Sequence, residues 1–247
     1  SAMNLNKSVT KAGFEVADLV LEPIASSYSV LGEDEKELGV ALVDMGGGTT
    51  DIAIYSENSL KYPGVVSLGG ENVTKDIAIG IRTPVEKAEE IKKKNGCAFS
   101  ALVKESEFVN VPGVGGRDNR EVSRTALASI IEPRMEEILN IVEREIQNSK
   151  YAEMLGAGIV LTGGGAMIEG VQELAEKVFK MPVKVGSPMN FGGLTEAAQT
   201  PVHATGVGLC KYAIEQYASG VNMDKKSVGS DFKSILAKMK QWMKEYF

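Results

Sequence analysis

The sequence predicts an α/β fold, and three observations carry that prediction. Short apolar runs of strand length alternate with segments of helical period. Two of those runs end in glycine triplets, the punctuation of tight turns. The composition suits a packed core, with 43% hydrophobic and 24% charged residues among 247, which excludes a disordered chain. Other classes fall away as readily. The net charge of −6 argues against a general nucleic-acid binder, because neutralising phosphates needs surplus Lys and Arg. Cys97 and Cys210 make neither a disulfide framework nor a metal cluster, and they are expected to stay reduced, as in a cytosolic protein. One histidine, His203, excludes His-based metal sites and leaves a Ser-His-Asp triad no other base. No run approaches the roughly 18 apolar residues of a membrane span. No secretory signal opens the chain, and Ser1-Ala2 ahead of Met3 reads as a cloning scar.

Residues 4–21 mix helix-compatible and hydroxyl residues. A helix is expected from Glu22-Pro23 to Leu31, with Pro23 in its first turn. Gly32 to Glu37 reads as a charged turn. Leu38 to Asp44 is an apolar run ending at a carboxylate, hence a buried strand. Gly46-Gly47-Gly48-Thr49-Thr50 turns the chain into a second strand, Asp51 to Tyr55, making a hairpin. Ser59 to Ser67 is a third strand. Gly69-Gly70 precedes a helix from Glu71 to Gly80. Thr83 to Lys94 is another, with Thr83 as N-cap, Pro84 at the first helical position and acids at its positive end. Residues 98–122, broken by Pro112, Gly113, Gly115 and Gly116, read as short strands and turns.

A long helix follows from Ser123. Leu127, Ile130, Ile131, Met135, Ile138, Val142 and Ile146 make one apolar face, and Pro133 is expected to kink or restart it. Ala157 to Thr162 is a buried strand, feeding Gly163-Gly164-Gly165 and a helix from about Gly170 to Phe179. Pro182 to Gly186 is a short strand, and Pro201 to Tyr217 a final core helix. Ser219 to Ser230 reads as a polar linker.

Two motifs carry chemistry. In Asp44-Met45-Gly46-Gly47-Gly48-Thr49-Thr50-Asp51, glycines admit close backbone approach and successive N–H groups can form an anion nest. Thr49 and Thr50 add hydroxyls. Asp44 could hold a hydrated Mg²⁺ or orient a water as a catalytic carboxylate, while Asp51 reads equally as a turn cap. An ordinary hairpin turn is the plain alternative; the flanking carboxylate and threonines weigh against it. In Leu161-Thr162-Gly163-Gly164-Gly165-Ala166, a strand again feeds a glycine turn ahead of a helix, which suits a nucleotide lying on bare backbone. A tight strand-to-helix connection would use the same residues. Neither motif is a P-loop or a dinucleotide fingerprint.

Together, in this order, these motifs resemble the second phosphate loop and the adenosine loop of the actin, Hsp70 and sugar-kinase superfamily. Glu22-Pro23-Ile24-Ala25-Ser26-Ser27 resembles its first hinge helix and Ala204-Thr205-Gly206-Val207-Gly208-Leu209 its second. Small residues there would let two helices cross closely between lobes, although Gly206 and Gly208 also suit simple helix packing. Glu71 and Lys75, with Glu89 and Lys92 on the charged helix, sit where that superfamily contacts ribose and adenine; a solvated face is the plain reading of such charges. The stretches 111–117, 131–137 and 158–164 narrow the resemblance to the bacterial cell-division actin homologues of the FtsA family, over most of the chain.

That resemblance implies an actin-like ATPase fold reduced to lobe 2 (subdomains 2A and 2B) with the hinge helices of subdomain 1A and a C-terminal amphipathic helix. The superfamily's first phosphate loop and subdomain 1C are not in this sequence, so the chain is expected to be a C-terminal portion in which nucleotide loses half its cleft. The implied division is the end of 1A over 1–37, subdomain 2A over 38–71 and 146–200, and subdomain 2B over 72–145. The second hinge helix covers 201–218, a linker 219–230 and a membrane-targeting helix 231–247. The implied cofactors are ATP and Mg²⁺, held by Gly46, Gly47, Gly48, Thr49, Thr50, Glu71, Lys75, Glu89, Lys92, Gly163, Gly164, Gly165 and Met167, with Asp44 on the metal through water. Little turnover is expected, so the protein is at most a weak ATPase. The implied partners are a second copy in a protofilament, an anionic membrane surface and the C-terminal peptide of the tubulin-like protein FtsZ. The last would dock on Arg134 and Glu137, one turn apart on one helix face; without the family such a pair is a minor intrahelical contact. Arg117 and Arg120 are looser candidates for that region or for a protofilament contact. The implied place is the cytoplasmic face of the plasma membrane at the division site.

The last 17 residues keep a helical period. Phe232, Ile235, Leu236, Met239, Trp242, Met243, Tyr246 and Phe247 fall on one face, and lysines largely on the other, a pattern of interfacial membrane helices. Packing on the protein's own core is the commoner fate of such helices, but the polar linker and the chain's single Trp weigh against it. A small-molecule kinase has no need of this tail. A pilus-assembly actin-like scaffold is the other alternative, and the Arg-x-x-Glu helix and the tail both favour division.

Overall fold

In a computed structural model, residues 2–190, 192 and 198–218 are described. The linker and the tail face from Phe232 to Phe247 lie outside these residues. The chain divides into two compact units, 1–19 with 212–247, and 20–211. In the first, α1 (Ala2–Lys11) has no buried residue, and Tyr212 Oη donates to Asp18 Oδ2 at 2.6 Å.

The second unit is built on a five-stranded sheet ordered β3-β2-β1-β6-β7. The strands are β1 (Val40–Met45), β2 (Thr50–Ser56), β3 (Ser59–Val66), β6 (Ile159–Thr162) and β7 (Val183–Val185). β1 pairs antiparallel with β2 and parallel with β6. All six residues of β1 are buried, as expected of a central strand covered on both faces. Alternation divides its side chains: Ala41, Val43 and Met45 join the larger core, whereas Val40 and Leu42 join a smaller one with Val30, Leu31, Ala53, Tyr55 and Ala204. Two helices come from the smaller side, α2 (Glu22–Val30) and α8 (Ala204–Ala218), the latter entered by a 3₁₀ turn at Pro201–His203.

The larger core is covered by α4 (Gly70–Gly80), α5 (Val85–Asn95), α6 (Arg124–Asn148) and α7 (Val171–Phe179). A two-stranded ribbon, β4 (Phe108–Val111) and β5 (Arg120–Ser123), lies among them in sequence. Ser123 caps α6, its Oγ accepting from the Ala126 N–H at 3.2 Å. The expected apolar face of α6 is buried, with Leu139 added and Ile130 only partly covered.

Three expectations are corrected. The acidic stretch after Gly32 is a helix, α3 (Glu33–Leu38): Glu35 Oε2 accepts the Gly32 N–H at 2.9 Å, and acids in the first turn suit the positive end of the dipole. Thr83 does not cap α5. Pro84 is the N-cap, and the Thr83 hydroxyl donates to the Pro112 carbonyl at 2.8 Å. Pro133 does not restart α6, which runs unbroken for 25 residues. Pro133 and Ser129, whose carbonyl loses its helical partner, both face solvent, so that carbonyl is open to water in place of the missing donor.

Candidate functional site

β1 and β6 are parallel neighbours, and each ends in a glycine triplet at the same end of the sheet. Crevices outside the carboxyl ends of such strands are where open α/β sheets bind ligands. The two triplets are unlike. In the first, Gly47 and Gly48 are exposed; a Cβ on Gly48 would meet nothing within 4 Å, and one on Gly47 would come no closer than 3.7 Å, to Glu71 Oε1. In the second, Gly163 has φ +82° and a Cβ there would lie 2.4 Å from Asp44 Oδ1. A Cβ on Gly165 would lie 2.7 Å from that of Met45. Those two glycines are required by packing against the end of β1. Gly164, whose nearest neighbour would be Val202 at 3.9 Å, and the exposed Met167 form the open part.

The first loop is fixed by α4. The Gly70 N–H donates to the Gly46 carbonyl at 2.9 Å and the Glu71 N–H to the Gly47 carbonyl at 2.8 Å. Glu71 and Lys75 are exposed one turn apart on α4. The hydroxyls of the loop are turned to the protein: Thr49 donates to Asp51 Oδ2 at 2.9 Å, so Asp51 serves as a turn cap, and the fully buried Thr50 donates to the Leu68 carbonyl at 2.9 Å.

Lys92 is buried. Its Nζ donates to the Gly70 carbonyl and to Thr74 Oγ1, both at 2.9 Å, and pairs with Glu89 Oε2 at 2.6 Å. Burial alone would raise the Glu89 carboxyl; hydrogen bonds from Lys92, Thr74 and Lys93, with the Lys92 charge, hold it below its ordinary range. Lys92 and Glu89 thus brace α5 against the start of α4.

Asp44 is held from both α2 and α8. Its Oδ2 accepts from Ser26 Oγ of α2 at 2.5 Å and from Thr205 Oγ1 of α8 at 3.3 Å, and the two hydroxyls lie 3.0 Å apart. Ser29 Oγ donates to the Ala204 carbonyl at 2.7 Å. Burial pushes the Asp44 carboxyl up; Ser26 opposes this, Asp51 adds to it and Thr205 opposes it. Glu22 is raised by burial, then by Asp51 and Asp44. Of the two helix glycines singled out in the sequence, only Gly208 makes the crossing close. Gly206 would have nothing within 4 Å of a Cβ.

Arg134 and Glu137 do pair on α6, but the principal partner of Arg134 is Asp76 of α4, to which Nε and Nη2 donate at 2.5 and 3.2 Å. That hydrogen bond, Asp76's charge and Glu137 raise the guanidinium further. Arg120 donates from Nη2 to the Ile81 carbonyl, and it and Arg117 are exposed. Sequence reading missed Asp76, Ser26 and Thr205 as site partners, because no local spacing marks contacts made across the fold.

Does the site suit a nucleoside triphosphate? Bare, open backbone at Gly47, Gly48 and Gly164 fits phosphate and sugar approach. Glu22, Asp44, Asp51 and Glu71 nevertheless surround the first loop with negative charge. Among the described residues no group of three or more His, Cys, Asp or Glu could hold a metal, so any Mg²⁺ would take most ligands from phosphate and water, as that ion commonly does. Among the same residues no helix is long and apolar enough to cross a membrane.

A family model described as Cell division protein FtsA matches residues 41–208. The chain is 45% identical over 253 residues to Cell division protein FtsA of Pseudomonas aeruginosa, covering 100% of the chain and 60% of that relative. To the protein of the same name from Escherichia coli K12 it is 43% identical, with the same coverage. For Bacillus subtilis the identity is 43% over 210 residues, covering 85% of the chain and 46% of the relative. The chain therefore spans about 60% of the length of the first two relatives. Among solved structures, MreB5 of Spiroplasma citri bound to ADP aligns with TM-score 0.70 and 20% identity, over 89% of this chain and 67% of that one. The type IV pilus PilM-PilN complex aligns with TM-score 0.64 and 16% identity, over 86% and 57%. The fold is the actin-like ATPase fold.

Proposed function

Because the chain belongs to the FtsA family of cell-division proteins, we propose that it serves as an ATP-binding, actin-like scaffold that polymerises and tethers FtsZ filaments to the cytoplasmic membrane. The observation that carries the nucleotide part is the placing of two glycine triplets at the carboxyl ends of adjacent parallel strands. In this reading the backbone of Gly46, Gly47 and Gly48 takes the phosphates, with Thr49 and Thr50 shaping the loop. Gly163, Gly164, Gly165 and Met167 take the adenosine side, and Glu71, Lys75, Glu89 and Lys92 border the ribose and adenine. Mg²⁺ would supply positive charge between the triphosphate and this acidic rim, taking most of its ligands from phosphate and water. Asp44, whose Oδ2 is engaged by Ser26 and Thr205, would hold that ion through water.

The division of the chain follows the family pattern: subdomain 2A over 38–71 and 146–200, subdomain 2B over 72–145, and hinge helices within 1–37 and 201–218. Partner contacts are assigned to Arg134 and Glu137 for the FtsZ C-terminal peptide, and to the face from Phe232 through Trp242 to Phe247 for anionic lipid. At about 1 kcal/mol per lysine near such a surface, plus apolar burial, the anchor is reversible and gains from multivalency in a filament. The peripheral site of action is the cytoplasmic face of the membrane at the division septum.

Co-sedimentation of purified FtsZ with anionic liposomes and the full-length protein tests this reading. FtsZ should pellet only when protein and ATP are both present. Arg134→Glu should leave the protein on the liposomes and FtsZ in the supernatant. FtsZ pelleting equally well with that variant would overturn the docking assignment.

A further inference from the structure

The docking surface assigned to α6 is already occupied by the protein itself. Arg134 donates from Nε and Nη2 to the two oxygens of Asp76, at 2.5 and 3.2 Å, and from Nη1 to Glu137. All three guanidinium nitrogens therefore face carboxylates, and one cation among two anions leaves the cluster with a formal charge of −1. The three side chains are 29, 28 and 50% exposed for Arg134, Asp76 and Glu137, so solvent only partly screens them.

The two acids are not equivalent. Glu137 holds one nitrogen, from the same helix, with its carboxylate half in water. Asp76 makes a bidentate pair, the stronger geometry, from a different helix. That helix cannot withdraw freely: its first two N–H groups are bonded to the Gly46 and Gly47 carbonyls. Near its other end, Gly80 sits so close to Ile130 of α6 that a Cβ would come within 2.6 Å of that side chain. A peptide carboxylate arriving at Arg134 can displace the bond to Glu137, freeing Glu137 for a basic group of a mixed-charge peptide, but it then binds beside a fixed like charge.

We propose that Asp76 is a built-in competitor for Arg134, a carboxylate from α4 that holds down the affinity of this surface for a peptide that pairs its own carboxylate with Arg134. The proposal rests on the reading of Arg134 as the docking residue. It makes the surface weak by construction, so that single encounters are brief and stable attachment needs many of them at once.

The test is fluorescence anisotropy of a labelled FtsZ C-terminal peptide titrated with the full-length protein as wild type, Asp76→Asn, Asp76→Ser and Arg134→Glu. Thermal melts confirm folding, and the serine variant decides the matter if the asparagine variant does not fold. Removing one like charge at contact distance should tighten binding about five-fold. Both Asp76 variants should show this, with a gain that shrinks as salt is raised, and Arg134→Glu should lose binding. Loss in Arg134→Glu together with unchanged or weaker binding in both Asp76 variants would overturn the proposal while leaving the docking surface standing; Asp76 would then merely position the arginine. Wild-type binding that Arg134→Glu does not weaken would instead overturn the docking assignment, and the competitor with it.

Discussion

Gly208 of α8 crosses Ala25 of α2 with no room for a side chain: a Cβ at Gly208 would stand 1.7 Å from the Ala25 carbonyl oxygen. Gly206, one turn-fraction away, would meet nothing. The pair gives a controlled comparison. Gly208→Ala must push the helices apart or distort α2, and should cost about 3 kcal/mol of stability. Gly206→Ala relieves a helix of a flexible residue and should be neutral or stabilising by up to about 1 kcal/mol. Urea unfolding of both variants checks this; equal effects would mean that the crossing is not as close as described.

Asp44 gives a pH prediction with a definite sign. Burial, opposed by Ser26 and Thr205 and reinforced by Asp51, holds its folded pKa above the ordinary value. The native state therefore binds that proton more readily than the unfolded chain does. Between the ordinary carboxylate value and the raised one, this site lowers stability as pH increases. Asp44→Asn, which keeps an acceptor for Ser26, removes the term. The stability of Asp44→Asn relative to wild type should rise as pH increases through that window and then level off. A difference independent of pH, measured by denaturant unfolding at a series of pH values, would refute the assignment.

The first glycine loop separates binding from folding. A Cβ at Gly47 would make only ordinary contact, with Glu71 at 3.7 Å, so Gly47→Val should fold. Its side chain would fill the space proposed for phosphate. Full-length protein carrying it should bind a fluorescent ATP analogue at least ten-fold more weakly, about 1.4 kcal/mol or more, with an unchanged melting temperature in the absence of nucleotide. Unchanged affinity would remove the loop from the binding site.

For the tail, Trp242→Glu places a charge on the face proposed to enter lipid. Co-sedimentation with anionic liposomes should fall to the level of neutral liposomes, while the melting temperature stays put. Persistent pelleting would locate the anchor elsewhere.

Particular residues show what was legible beforehand. β1 was plain, because a strand buried on both faces is a continuous apolar run, and Asp44 followed by three glycines marked where it ended. The apolar stripe of α6 is visible for a different reason, its apolar residues recurring at the helical period on one face. The helix at Glu33–Leu38 was hidden by its composition: a cluster of acids reads as a solvated turn until Glu35 is seen closing back on the Gly32 N–H. Thr83 had the right residue type for a cap, but the Pro112 carbonyl competed for its hydroxyl and won. In the site, the glycines declared themselves, yet their two kinds of work did not; only coordinates distinguish Gly163, wedged against Asp44, from Gly164, open to solvent. Asp76 lies 58 residues from Arg134, and Thr205 lies 161 from Asp44. Helical and strand periods say nothing about such distances.

The two hydrogen bonds from α4 to the carbonyls of Gly46 and Gly47 have a geometric corollary. In a trans peptide unit the C=O and the following N–H point in opposite directions. Pinning the Gly46 and Gly47 carbonyls toward the helix therefore turns the amide hydrogens of Gly47 and Gly48 the other way, out from the loop's far side. The donor pair is aimed before any anion arrives. For the phosphate proposed at this loop, no peptide plane would need rotating, and the orienting work is done by folding, once, rather than at each binding event.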